Sequence, residues 1–121
     1  MYFEFESRPN RYAAWIPTID VCEREDEILI FVEIPGVDKS DVQLSWNHGV
    51  LTISGQKRQR VPSKRARYLC LERAYGQFKR EIEINVPIDR KAAKAELEKG
   101  LLRIRLPKAS STSEPSNIPI L

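Results

Sequence analysis

The residue types that usually carry enzyme chemistry are sparse in this chain of 121 residues and do not group into a site. His48 is the single histidine and lies in a predicted turn, where a lone histidine is most simply a solvated loop residue. The sequence contains no G-x-x-x-x-G-K-[ST] phosphate loop, no G-x-G-x-x-G pattern and no G-x-S-x-G elbow. One histidine also excludes a zinc site of the His-rich kind. We therefore predict that the protein is not an enzyme and needs no cofactor.

The two cysteines, Cys22 and Cys70, show no metal-ligand spacing, and two thiols do not make a disulfide framework. We predict that both are reduced and lie on strands. An intersubunit disulfide is the alternative.

A basic stretch is the strongest sign of a nucleic-acid partner. Its six cations have no acidic residue between them: Lys57, Arg58, Arg60, Lys64, Arg65 and Arg67. Such a patch can hold phosphates, but only Tyr68 is near to stack on a base. The whole chain carries a net charge of only +3. We predict no nucleic-acid partner, with a nucleic-acid-binding β domain kept as an alternative.

The end of the chain is apolar, which is unusual after a polar segment. Residues 109–117 are small and polar, which predicts a flexible linker. In an extended strand Ile118 and Ile120 project to one side and Pro119 to the other. Proline lacks an N–H and suits an edge strand, so the pattern favours addition of this tail to an exposed sheet edge.

The rest of the chain must supply the sheet edge to which the tail adds. Its apolar residues follow the pattern of short strands. Residues 28–32 form an apolar run that predicts a strand buried on both faces. Apolar and polar residues alternate with period 2 in residues 42–46, 51–53, 82–86 and 102–106. Proline and glycine punctuate these runs, and residues 47–49 predict a hairpin turn. The prediction is an all-β sandwich or barrel.

Two stretches do not fit a simple hairpin pattern. Residues 56–75 are too many for a hairpin loop and include a short apolar segment that could pair with another subunit: Tyr68, Leu69, Cys70 and Leu71. Residues 89–99 are rich in alanine and favour a helix with Asp89 as its N-cap, although a helical turn followed by a short strand is equally compatible.

The N-terminal segment is rich in aromatic residues and has no sustained period, which predicts an arm without regular structure. Its aromatic side chains are Tyr2, Phe3, Phe5, Tyr12 and Trp15. We predict an arm over residues 1–15, a domain over 16–108 and an extension over 109–121. No secretory signal and no apolar run of about 20 residues is present, which predicts a cytoplasmic protein without a membrane partner.

Three motifs and the tail, in this order and spacing, resemble the small heat shock protein family, which carries the α-crystallin domain. Residues 51–55 look like the family's L-x-I-x-G strand end, and residues 78–80 look like its F-x-R. Residues 95–102 look like its A-x-x-x-x-G-[VL]-L signature, and residues 118–120 are similar to its I-x-I tail. The resemblance covers about residues 14 to 108 and the tail. It implies an immunoglobulin-like β-sandwich with flexible N- and C-terminal arms.

The resemblance also implies roles for particular residues. The short strand near residues 68–71 would be lent to a partner, giving a dimer, and residues 94–98 would be a strand. The tail would dock on another dimer, in a groove with these wall residues: Val42, Leu44, Ala95 and Leu97. Arg80 would form an interface ion pair.

By the same resemblance, the protein would be an ATP-independent holding chaperone. It would assemble into oligomers of dimers and bind unfolding client proteins through the aromatic arm and vacated grooves. The short arm departs from the usual family pattern. A p23-like co-chaperone, which would act as a monomer, is a further alternative.

Overall fold

In the computed structural model the chain forms short strands, as its period-2 pattern predicts. The structure describes residues 7–9, 15–60, 62–109 and 116–121, so most of the predicted linker lies outside the described residues. The strands, in chain order, are β1 (Ser7–Pro9), β2 (Ile19–Glu23), β3 (Glu27–Glu33), β4 (Val42–Asn47), β5 (Val50–Lys57), β6 (Gly76–Glu83), β7 (Lys94–Glu98), β8 (Leu101–Pro107) and β9 (Ser116–Asn117). Two single 3₁₀ turns lie at Lys39–Asp41 and Arg90–Ala92.

The strands make two sheets, each entirely antiparallel in its named pairs. The five-stranded sheet has the order β1-β6-β5-β4-β9, and the four-stranded sheet has the order β2-β3-β8-β7. Inward-facing residues of both sheets form one hydrophobic core. The predicted all-β sandwich is therefore confirmed. None of the helices among the described residues has the length and apolarity needed to cross a bilayer.

Alternation places every second side chain of a strand in this core. Leu51 and Ile53 of β5 are fully buried, as is Ile30 of β3. On the opposite side of β3, however, Phe31 is only half-buried. The prediction that this strand is buried on both faces is wrong, because the described residues place no layer over the outer face of the four-stranded sheet.

The hairpin predicted between β4 and β5 is confirmed. His48 (φ 51°) and Gly49 (φ 80°) are the two loop residues, and Asn47 pairs with Val50. Positive φ at both positions gives a turn whose twist matches that of the strands.

Residues 89–99 form a helical turn followed by a strand. The Asp89 side chain accepts a hydrogen bond from the Lys91 N–H at 3.2 Å, so it does cap a helical turn. The helix stops after Ala92, and a helix over the whole stretch is wrong. Strand β7 instead pairs with β8, which buries Ala95 opposite Ile104. Sheet pairing and burial here outweigh the high helix propensity of alanine, because tertiary contacts override local propensity.

Strand β1 corrects the prediction of an N-terminal arm without regular structure. It pairs with β6 at the edge of the five-stranded sheet, with Ser7 opposite Ile82 and Pro9 opposite Arg80. Backbone hydrogen bonds to a sheet edge need no apolar period, so the side-chain pattern gave no sign of this strand. Pro9 is tolerated because an edge strand needs no N–H on its outer side.

Candidate functional site

The tail groove is the surface between β4 and β7, with Val42, Leu44 and Ala95 as its walls. All three side chains are buried, with at most 6% exposed. Leu97, the fourth predicted wall residue, is half-buried against the core farther along β7. Ile118 lies in this groove with only 4% of its surface exposed.

The backbone of the tail bonds to both sheets. The Ile118 N–H donates to the Leu44 carbonyl at 3.1 Å, and the Leu121 N–H donates to the Ala95 carbonyl at 2.7 Å. Ile120, which is half-buried, forms a parallel bridge with Ala95. The tail therefore crosses from the β4 edge of one sheet to the β7 edge of the other. Pro119 is exposed between these contacts, where its missing N–H costs nothing.

The tail and the groove belong to the same chain. The resemblance puts the tail on another dimer, whereas in this structure it occupies its own groove. Several groove residues were not expected from the sequence, and three of them lie outside β4 and the tail. Lys39, Ser40 and Ser54 line the cavity of about 790 Å³ beside the docked tail. They are polar and lie outside the alternation of β4, so the apolar pattern gave no signal for them.

The apolar segment of residues 68–71 is exposed and forms no strand in this chain. The exposed fraction is 44% at Tyr68, 88% at Leu69 and 56% at Leu71. Cys70, also exposed, lies on no strand within this chain. Exposed leucines two positions apart form an apolar face that water disfavours. The other cysteine, Cys22, lies on β2, and both thiols are free.

The edge of the four-stranded sheet at β2 is open within the described parts of the chain. Strands β1 and β9 form the two edges of the five-stranded sheet, and the tail bridges to β7. No described segment pairs with the outer side of β2. The even-numbered residues bond to the neighbouring strand β3. The Arg24 N–H donates to the Glu27 carbonyl, and the Thr18 carbonyl accepts from the Glu33 N–H. Since bonding alternates along a strand, the odd-numbered residues of β2 direct their N–H and C=O groups to the open edge.

Arg80 faces inward from β6 and is only 9% exposed. Its Nη1 donates to the Pro17 carbonyl at 2.6 Å. Burial lowers the pKa of the guanidinium, because a charged group is less well solvated inside the protein. The side chain thus donates to the chain's own backbone. The ion pair across an interface that the resemblance implied stays a prediction.

Trp15 is part of the domain, which corrects its assignment to the arm. Its Nε1 donates to the Gly76 carbonyl at 3.0 Å, and its ring centroid lies 5.1 Å from that of Phe78. The Lys57 ammonium lies 5.5 Å from the indole centroid. An indole packs stably where its apolar ring is covered and its N–H has a partner. The other aromatic arm residues, Tyr2, Phe3, Phe5 and Tyr12, lie outside the described residues.

Half of the basic stretch is engaged within the protein. Arg58 donates to both carboxylate oxygens of Asp41 at 2.9 Å, and Arg60 lies 2.6 Å from Asp38. The third engaged cation, Lys57, is the one that lies over the Trp15 ring. Only the remaining three cations, Lys64, Arg65 and Arg67, are exposed without an ion pair among the described residues. This arrangement weakens the case for a phosphate-binding patch.

The ion pair between Arg58 and Asp41 leads to a prediction about how the stability of the fold depends on pH. The hydrogen bonds from Arg58 hold the pKa of the Asp41 carboxyl below its ordinary value of 3.8. The pair therefore stabilises the fold above the unfolded pKa of aspartate, and this contribution is lost as pH falls through the lowered pKa. We expect Arg58→Gln to return the pKa of Asp41 towards 3.8. A carboxyl titration by NMR measures this, and a pKa that stays low in the variant would contradict the pairing.

No group of three or more histidine, cysteine, aspartate or glutamate side chains within the described ranges could hold a metal ion. The site consists instead of an apolar groove, an exposed apolar segment and an open sheet edge. These features can bind extended peptide segments through backbone hydrogen bonds and apolar contacts.

Comparison with known proteins agrees with this description. The model of the Hsp20/alpha crystallin family matches residues 20–121. Heat shock protein 16 of Schizosaccharomyces pombe is 38% identical over 106 residues, which are 86% of this chain and 74% of that protein. Small heat shock protein C2 of Rickettsia felis is 36% identical over 93 residues, 77% of this chain and 60% of that protein. The chain thus spans three fifths to three quarters of the length of these relatives.

Solved structures are similar as well. Heat shock protein 16.0 from Schizosaccharomyces pombe has a TM-score of 0.75 and 38% identity, covering 83% of this chain and 94% of that chain. A small heat-shock protein from Xylella fastidiosa, described as having a distinct high order structure, has a TM-score of 0.72 and 28% identity and covers 84% of this chain and 93% of that chain. Family members are ATP-independent chaperones, not enzymes. The match to the family model, the sequence identities with these relatives and the shared β-sandwich together show that this chain belongs to the Hsp20/alpha crystallin family of small heat shock proteins.

Proposed function

We propose that this protein is a cytoplasmic, ATP-independent holding chaperone that binds unfolding proteins and prevents their aggregation. The observation that carries the proposal is the tail groove. It takes an extended Ile-x-Ile segment through backbone hydrogen bonds and buried apolar walls. An unfolding client presents extended apolar segments of this kind. Binding them in such a groove, or against an aromatic arm, requires no nucleotide.

Dimer formation through residues 68–71 is the first assembly step that we propose. The open edge of β2 offers unpaired backbone groups, and the exposed apolar segment offers a strand to pair with them. An antiparallel register with Leu69 opposite Val21 and Leu71 opposite Ile19 would join the apolar residues of both strands. Two copies related by a twofold axis would make this contact twice.

Docking of tails between dimers is the second proposed step. The contacts of Ile118 and Ile120 with the groove can be made equally well by the tail of another chain. Burial of two isoleucines is worth roughly 3–6 kcal/mol before ordering costs, which is a weak contact singly. Several such contacts in one particle would give a reversible oligomer of dimers. The high order structure described for the Xylella fastidiosa relative supports such assembly.

The holding activity is tested by heating an aggregation-prone client with the purified protein in the absence of ATP. We expect light scattering by the client to fall as the chaperone is added in stoichiometric amounts. Deletion of residues 1–14, which leaves Trp15 in place, is expected to weaken this suppression. No suppression by the full chain would refute the proposed function, and equal suppression by the truncated chain would refute the role of the arm.

The dimer contact is tested by Leu69→Asp with Leu71→Asp. We expect the doubly substituted protein to be a folded monomer, because two carboxylates replace the apolar face of the segment while the core is untouched. Sedimentation gives the mass and circular dichroism reports the fold. Ser63→Asp with Ala66→Asp adds the same charge to the same excursion and should leave the mass unchanged. A dimer that persists in the leucine variant would place the contact elsewhere.

A further inference from the structure

The second half of the basic stretch comes directly before the exposed apolar segment. Lys64, Arg65 and Arg67 are all exposed, and Tyr68 begins the segment proposed to pair with another chain. A run of surface cations is most simply a solvated loop. Here, however, any strand that pairs through residues 68–71 brings these cations to the partner surface as well.

The open edge of β2 carries the opposite charge. Its exposed carboxylates, on β2 and on the turn to β3, are Asp20, Glu23, Glu25 and Asp26. Arg24, the cation among them, lies 3.4 Å from Oε1 of Glu27 and is engaged there. Glu23 accepts from Lys108 Nζ at 2.7 Å but stays 57% exposed, and a carboxylate can accept from more than one donor. The edge therefore offers unpartnered backbone groups beside a strip of negative charge.

Charge and apolar pattern favour the same register between the two surfaces. The register proposed for the dimer contact, with Leu69 opposite Val21, places Arg67 opposite Glu23 at the end of β2. A slip by two residues keeps the same faces together. In one direction it puts Leu69 opposite Glu23, and in the other it puts Arg67 opposite Val21. Each slip sets a charged side chain against an apolar one, so the charges support the register independently.

Both chains turn just beyond the pair of Arg67 and Glu23. The Arg24 N–H donates to the Glu27 carbonyl at 2.8 Å, and the Ala66 N–H donates to the Ser63 carbonyl at 3.2 Å. In an antiparallel pair the start of one strand meets the end of the other, so the two turns lie at the same end. They carry two cations and two carboxylates, respectively Lys64, Arg65, Glu25 and Asp26.

Ion pairs of this exposed kind change the choice of partner more than the strength of binding. Each exposed pair strengthens a contact only about 1.4- to 5-fold, because water and salt screen it. Like charges in the same places weaken the contact to a similar degree, and a twofold axis makes every pair twice. Specificity is a difference between affinities, so the repulsion of a wrong partner adds to the attraction of the right one.

We propose that Lys64, Arg65 and Arg67 select the dimer partner. They accept a chain whose β2–β3 hairpin is acidic at residues 23, 25 and 26, and they oppose a chain that is basic there. A second copy of this chain is the partner, because one sequence carries both halves of the charge pattern. The inference rests on the proposed function, since the dimer contact is part of it.

A disulfide tests the register. The even-numbered residues of β2 bond to β3, so position 20 is a non-hydrogen-bonded position at the open edge and faces Cys70 of the second copy. Such Cα atoms lie about 4.5 Å apart, which a disulfide accepts. The reporter chain carries Asp20→Cys with Cys22→Ser. Glutathione disulfide takes up the two electrons and two protons of the thiol pair, and non-reducing gels measure the bonded dimer.

The unsubstituted chain is the matched control. In the proposed register its Cys22 and Cys70 are diagonal neighbours about 7–8 Å apart, beyond the range of a disulfide. We expect the reporter to give at least about tenfold more bonded dimer. The slipped register with Leu69 opposite Glu23 puts Cys70 directly opposite Cys22, so a higher yield from the unsubstituted chain would overturn the register. Absence of a bonded dimer in the reporter would overturn it as well.

Charge reversal in the reporter chain tests the selection. One variant carries Arg65→Glu with Arg67→Glu, and the other carries Glu23→Lys with Glu25→Lys. Each alone should give at least about tenfold less bonded dimer, because every contact then joins like charges. Their mixture should restore the yield as a heterodimer, in which both contacts join opposite charges, and intact mass identifies it. Salt at about 0.5 M should remove most of these differences.

Lys91→Glu with Lys94→Glu makes the same change in net charge near β7, at the other edge of the four-stranded sheet. It should leave the yield of bonded dimer unchanged. Yields that ignore reversal in the excursion and the hairpin, or a mixture without preference for the heterodimer, would overturn the selection. So would a variant with Arg65→Glu and Arg67→Glu that keeps its yield but loses binding to a labelled single-stranded oligonucleotide, since the cations would then serve nucleic acid.

Holding activity of the unsubstituted chain is measured in parallel, by suppression of the aggregation of a heated client. A chain that holds clients but dimerises without regard to charge contradicts the partner selection alone. Charge-selected dimers in a chain without holding activity contradict the proposed function alone.

Discussion

Ile118→Ala with Ile120→Ala is expected to reduce the assembled particle to dimers. Ile118 is the most deeply buried residue of the described tail, and Ile120 lies beside Ala95 on the second sheet. Loss of both side chains removes most of roughly 3–6 kcal/mol of apolar burial, which weakens docking at least about 100-fold. Light scattering at a concentration where the unsubstituted chain is assembled gives the particle mass.

The tail provides its own matched control. Leu121 is 61% exposed and contributes a backbone N–H rather than a buried side chain, so Leu121→Ala should leave the mass almost unchanged. Circular dichroism should show an intact sandwich in both variants, because the core lies behind the groove. An unchanged mass in the double isoleucine variant would mean that other contacts hold the dimers together.

Gly55→Ala is expected to destabilise the domain strongly, because β5 has no room for a methyl group at this position. A Cβ at Gly55 would lie 2.1 Å from the Asp41 carbonyl oxygen and 2.8 Å from Cζ of Phe78. The carbonyl belongs to the backbone of the 3₁₀ turn, and Phe78 is in the core, so neither can move freely. We expect a loss of roughly 2–4 kcal/mol, or about 10–20 °C in Tm, measured by thermal unfolding.

Gly49→Ala separates backbone strain from crowding. Gly49 has φ of 80°, but the nearest neighbour of an added Cβ would be the Ile84 carbonyl oxygen at 3.4 Å, an ordinary contact. Its replacement should cost only about 1–2 kcal/mol, from the left-handed conformation alone. A Gly55→Ala variant as stable as the Gly49→Ala variant would show that the backbone of the 3₁₀ turn can move away from the added methyl group at little cost.

The strands that alternate strictly could be predicted from the sequence, because their side-chain period reports which face is buried. This holds for the hairpin of β4 and β5 and for β8. Strand β7 could be predicted only through the family resemblance, since its alanine favours a helix locally and burial opposite Ile104 decides the outcome. Strand β1 has no side-chain period at all, because hydrogen bonds to an edge place it.

The candidate functional site could likewise be predicted from the sequence only in part. The apolar tail follows from two isoleucines two positions apart, whereas the walls of its groove were predicted only through the family resemblance. Trp15 was misassigned because an aromatic residue in a polar segment looks the same whether it binds a client or packs on Phe78. The Arg58–Asp41 pair joins residues 17 positions apart, and no local pattern in the sequence reports such a contact.

The exposed proline of the docked tail has a consequence for the chain as a building block. Once the tail is in place, it forms the outer border of the five-stranded sheet, and Pro119 follows shortly after β9. The opposite border, β1, ends at Pro9. A proline at a border withholds the hydrogen bond that an additional strand would need. This sheet therefore has a proline at each margin, where it opposes the strand-by-strand growth that produces fibrils.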